Sequence, residues 1–191
     1  MTVSGPTASQ TVGPFFHDAL LHESGNVLVG PEAGGERVRI EGRVYDGGGQ
    51  PVADALIEIW QANEHGRYNH PADQRALPLD PTFIGFGRCG TDATGSYWFE
   101  TIRPGAVPFD RDRWQAPHVS VTVFARGLLN HLVTRLYFED EPANATDPVL
   151  QRVPIERRGT LLGRRGLDGS KPVYRFDIVL QGDGETAFFN L

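Results

Sequence analysis

Residues 116–127, A-P-H-V-S-V-T-V-F-A-R-G, constrain the fold more than any other stretch of this chain. Val119, Val121, Val123 and Ala125 alternate with His118, Ser120, Thr122, Phe124 and Arg126. A period of two is that of a strand with one face on a core. The second face carries an imidazole, two hydroxyls, a ring and a guanidinium. Such a mix suits either a functional surface or a strand roofed by other chain.

The rest of the sequence has the same grain. Twenty-three Gly and 14 Pro are spread over 191 residues, which disfavours long helices and favours short strands joined by turns. Strands are expected at 37–46, 52–62, 89–92, 97–102, 131–139 and 173–181. Residues 71–87 read as a long ordered loop, and 155–165 as a short strand or a short helix. One helical turn is expected after Asp147-Pro148. Residues 1–14 are small and polar and end on Phe15-Phe16, as an arm that docks on something. The expectation is one all-β domain over 1–191, an antiparallel β-sandwich with long ordered loops and an extended N-terminal arm.

Charge narrows the partners. A formal net charge of −6 argues against nucleic acid or an anionic membrane. Lys171 is the lone lysine, and an arginine-dominated chain favours forked contacts to carboxylates. One cysteine, Cys89, allows no internal disulfide and no thiolate metal site; within a strand it reads as a small apolar residue. With no signal-like start and no long apolar run, a cytoplasmic chain is expected.

Three segments together carry a resemblance: G-R-V-Y-D-G-G-G-Q-P-V-A-D-A-L-I-E-I-W-Q-A-N-E-H-G-R-Y at 42–68, F-G-R-C-G-T-D-A-T-G-S-Y-W-F-E-T-I-R-P-G at 86–105, and A-P-H-V-S at 116–120. They resemble the intradiol ring-cleavage dioxygenases, and the resemblance runs from about Gln10 to the C-terminus. It implies a site for one non-haem Fe(III) held by two tyrosines and two histidines. Phenolates are hard anionic donors that favour the ferric state, and neutral imidazoles complete the set. Carried over position by position, the ligand places are Tyr68, Val107, His118 and Ser120. Val107 has no donor atom, Ser120 only a neutral hydroxyl. An arginine expected three residues before the first histidine is Gln115. The resemblance therefore implies no catalytic group and no metal in this chain.

The pattern is that of the alpha-type chain of the two-subunit members, whose beta-type partner holds the iron. Their reaction opens 3,4-dihydroxybenzoate between its hydroxyls, and alpha–beta pairs build higher oligomers. In such chains an S-Q-T-x-G-P motif and an arginine in F-A-R-G line the partner's substrate pocket. Here these are residues 9–14 and 124–127, which implies Thr11, Gly13, Pro14 and Arg126 as substrate-binding residues. Residues 1–16 would be the arm that contacts the partner. On a straight strand, eight residues separate Arg126 from His118 by roughly 26 Å, so one small aromatic cannot touch both.

Plain readings stand beside these. Alone, His118 is a satisfied structural histidine, Tyr68 a packing tyrosine, and Arg126 a surface charge or strand-end ion pair. Trp60 in W-Q-A-N reads as packing. His17, Asp18 and His22 suggest a metal, with nothing to make them converge. A self-sufficient dioxygenase using Tyr68, His118, Ser120 and water, or a β-sandwich binding module, are the competing functions.

Overall fold

The computed structural model describes residues 8–190. Residues 1–7 of the expected arm lie outside them. The arm is not extended throughout: a helix, α1 (Pro14–Leu20), begins within it. Proline at the first helical position has a preset φ and no N–H that needs a partner there, so Pro14 starts the helix.

Among the described residues nine strands form one nearly closed sheet. In chain order its first members are β1 (Arg37–Tyr45), β2 (Leu56–Trp60), β3 (Phe86–Gly90) and β4 (Ser96–Ile102). Two short strands, β5 (Val107–Pro108) and β6 (Trp114–Gln115), make a separate hairpin that the turn-rich sequence there conceals. The main sheet continues with β7 (His118–Phe124) and β8 (Leu132–Phe138). A helical turn, α2 (Ile155–Arg158), then leads into β9 (Leu162–Asp168), β10 (Lys171–Arg175) and β11 (Ile178–Val179). Residues 155–165, which read as helix or strand, are both in succession. The expected strand 173–181 is two, broken at Phe176-Asp177, and 52–62 is strand only from Leu56.

Pairing is mixed. Most pairs are antiparallel, while β1–β10, β1–β11 and β8–β9 run parallel. Parallel pairs need long crossovers: residues 139–161 carry the chain from β8 to β9, and all the strands between separate β1 from β10 and β11. β9 pairs with β8 at Leu162–Gly163 and with β10 from Arg164 onward, so it passes from one layer of the sandwich to the other. Val38, Ile40, Phe99 and Tyr174 of one layer meet Ile57, Ile59, Val119, Val121, Val123 and Leu136 of the other in one core. Cys89 packs against it half-buried, and burial pushes its thiol pKa up. No helix among the described residues is long and apolar enough to cross a membrane.

The alternation at 119–125 thus decides the inner face. The outer face of β7 presents His118, Ser120, Thr122 and Phe124, and the site is built upon it.

Candidate functional site

Two turns meet over the start of β7, and glycine makes the meeting possible. Gly66 has a φ of +74°, and a Cβ on it would lie 2.0 Å from the Ala106 carbonyl oxygen. Gly105 donates its N–H to the Asn63 carbonyl at 2.8 Å, and a Cβ there would lie 2.4 Å from the Glu64 carbonyl oxygen. Backbone therefore packs on backbone, which sets Tyr68 relative to Val107. Asn63 holds the same corner. Its Oδ1 accepts the N–H groups of His65 and Arg67, both at 3.0 Å, while its Nδ2 donates to the Pro78 carbonyl at 2.9 Å. Buried Gln61 donates to the Ile102 carbonyl at 2.9 Å and accepts from the Thr101 hydroxyl at 2.8 Å. W-Q-A-N is scaffold, and Trp60 stacks on the Tyr68 ring with centroids 5.6 Å apart.

The opposite wall rests on a buried carboxylate. Asp147 Oδ2 accepts the Ala116 N–H at 2.7 Å, and Oδ1 accepts the Tyr137 hydroxyl at 3.1 Å and the Leu150 N–H at 2.6 Å. This fixes Ala116, whose carbonyl lies 2.7 Å from His118 Nδ1. The neutral ring donates from Nδ1 and keeps Nε2 as an acceptor. Burial, followed by the nearby Arg135 charge, lowers the His118 pKa to about 4. Tyr68 moves the other way: burial raises its pKa above the ordinary phenol value.

Tyr68, Val107, His118 and Ser120 line one cavity of about 290 Å³, together with Arg75, Pro108, Gln115 and Arg135. Tyr68 and Val107 are brought from distant segments to His118 and Ser120 on β7, and two of the four carry metal-type donors. One expectation needs correction. Gln115 was read as a lost supporting charge, yet Arg135 Nη1 donates to Gln115 Oε1 at 2.7 Å. A guanidinium still stands beside that position, supplied by β8, where Arg135 lies directly opposite Ser120. Only the register of β8 against β7 reveals it. Arg75 was missed as well. It forks onto Asp73 at 2.8 and 2.6 Å and holds that carboxyl far below its usual range. Asp73 in turn accepts the Tyr68 N–H at 2.8 Å. The D-P signal pointed to the turn at Asp147 but not to its hydrogen bonds.

The other expected residues gather at the far end of β7. The strand stops at Phe124, and Arg126-Gly127 form a turn. Thr11 Oγ1 accepts the Gly127 N–H at 2.7 Å, Ser9 donates to Asn130 Oδ1 at 3.2 Å, and the Phe16 ring lies 5.2 Å from Phe124. The N-terminal segment is seated on this chain's own turn. Arg126 pairs with Asp54 and stays 68% exposed. Gly13 is exposed, with nothing within 4 Å of where a Cβ would stand. Pro14 opens α1, and its side chain lies outside what is described, as do those of His17 and Asp18.

A family model described as Dioxygenase matches residues 11–182. The chain is 42% identical to the protocatechuate 3,4-dioxygenase alpha chain of Burkholderia cepacia, with all of both chains covered. The chain belongs to the intradiol dioxygenase family. It is also 42% identical to the beta chain from the same organism, over 93% of this chain and 77% of that one. The full-length matches are to alpha chains, that of Pseudomonas putida included at 42% identity over 96% of both chains. The solved dioxygenase domain of a dioxygenase–carbohydrate-binding fusion from Streptomyces sp. SirexAA-E superposes with a TM-score of 0.64 at 28% identity, covering 85% of this chain and 88% of that one.

Proposed function

We propose that this chain is the alpha-type, iron-free subunit of a two-chain intradiol dioxygenase that opens 3,4-dihydroxybenzoate with O2 to 3-carboxy-cis,cis-muconate. A beta-type partner holds the Fe(III), and alpha–beta pairs assemble further in the cytoplasm. One observation carries this reading: the cavity that gathers all four ligand positions offers Tyr68 and His118 alone as metal-type donors. Val107 is donorless, the Ser120 hydroxyl is neutral, Tyr68 is the single phenol, and the Arg135 guanidinium lines the same space. A ferric ion needs anionic donors and tolerates no adjoining cation without them. This donor set does not fit the ion.

Thr11, Gly13, Pro14 and Arg126 are the contribution to the partner's substrate pocket. The fork of Arg126 matches the substrate carboxylate. The bare backbone at Gly13 lets another chain approach closely. Residues 1–16 act as the contacting arm, and the Thr11–Gly127 bond supports its placement beside Arg126.

Co-expression with a beta-type chain, followed by iron analysis, tests the reading. The expected result is a complex with iron in proportion to the beta chain, and no iron in this chain purified alone. Stoichiometric iron with a tyrosinate-to-iron absorption band in this chain alone would establish the self-sufficient enzyme instead.

A further inference from the structure

The cavity at Ser120 has a continuation. Ser120 and Arg135 also line a cleft of about 710 Å³ on the same outer face, walled by Trp60, Phe109 and Phe188 and rimmed by Arg152. Among the described residues no acidic side chain lines either space, although the chain carries 24 acidic residues against 18 basic ones. Two other arginines there are already neutralised: Arg75 by Asp73 at 2.6 Å and Arg157 by Glu185 at 3.1 Å. Arg135 and Arg152 pair with no carboxylate among the described residues. Arg135 uses only Nη1, toward Gln115 and more distantly the Tyr137 hydroxyl. Its Nε and Nη2 make no hydrogen bond among the described residues. Arg152 lies over the Phe109 ring, 5.4 Å from its centroid.

A guanidinium with an open fork takes a carboxylate in two parallel hydrogen bonds. The Ser120 hydroxyl, directly across the strand pair, supplies a further donor. Aromatic walls beside a few convergent polar groups are the composition of a small-molecule site. No carboxylate among the described residues lines the space to compete for the fork. We propose that this joined cavity binds a small aromatic carboxylate of benzoate size, its carboxylate on Arg135 and Ser120 and its ring against Trp60. Every residue named for it is this chain's own, so its test needs no partner chain.

Titration of the full-length chain with benzoate tests this, read by tryptophan fluorescence and by calorimetry. Saturable binding is expected, about tenfold tighter than that of benzamide, which keeps the ring and lacks the charge. Arg135→Gln should weaken benzoate at least about tenfold and Arg152→Gln about threefold, with benzamide unchanged. Arg152 is exposed, so its variant remains informative if Arg135→Gln does not fold. Three outcomes would overturn the proposal: no saturation, equal affinity for benzamide, or benzoate affinity unchanged in the variants. Inorganic phosphate binding as tightly as benzoate would overturn the aromatic class.

Discussion

The two ends of β7 differ in how they are finished. At the start, His118 is 4% exposed and Ala116 1%. Behind them Asp147 accepts the Ala116, Val149 and Leu150 N–H groups and the Tyr137 hydroxyl, and clasped glycine turns seat the facing residues. At the far end, Arg126 and Thr11 are exposed and rest on single contacts. The first is a complete pocket whose contents have changed. The second is a set of side chains with no pocket of their own. Packing preserves a cavity because the core beneath depends on its walls, whereas nothing in packing preserves a ligand. Exposed residues with little structural duty are where a contribution to a neighbouring chain can reside.

The sharpest way to break this contrast is Asp147→Ala. It leaves the Ala116, Val149 and Leu150 N–H groups and the Tyr137 hydroxyl without their acceptor. Denaturant unfolding should show a loss of about 4 kcal/mol. A loss below about 1 kcal/mol would mean the buried wall is not built on that carboxylate.

Acid comes next. The His118 pKa falls from about 6.5 to about 4 on folding, so between these values the unfolded chain binds the proton and the folded chain does not. Stability is then complete above pH 6.5 and declines toward pH 4, by about 3 kcal/mol from this group. Asp73, whose pKa is lowered chiefly by Arg75, adds a loss in the same direction at more acid pH. His118→Asn, which can still donate toward the Ala116 carbonyl, should flatten the slope between pH 6.5 and 4. An unchanged slope would assign it to other groups.

At the exposed end the effects should divide by assay. Arg126→Ala should cost the assembled enzyme about 2 kcal/mol, roughly thirtyfold in kcat/KM. The stability of the single chain should move by less than about 1 kcal/mol, because its pair with Asp54 is exposed. Iron content should not change, and a fall would place Arg126 in assembly. Thr11→Ala is the smallest change, about 1 kcal/mol for one hydrogen bond to Gly127. Faster hydrogen exchange at the Gly127 amide would report it, and unaltered exchange would detach the arm from this turn.

What the sequence determined by itself follows from local rules. Alternation placed β1 and β7 within a residue or two, because side-chain direction along a strand is a property of the strand alone, and a turn signal placed β4. Long motifs marked Tyr68, Val107, His118 and Ser120, whose missing donors are plain from residue type. The first turn of α1 was legible at Pro14 and was obscured by the small polar residues before it. What only the tertiary structure decided depends on register and packing between distant segments. Arg135 faces the cavity because β8 sets it opposite Ser120, and Thr11 meets Gly127 across more than a hundred residues. Asp147 serves Ala116 because the loop after β8 folds back beneath β7. No spacing within one segment encodes these contacts, since each exists only once two strands have chosen their alignment.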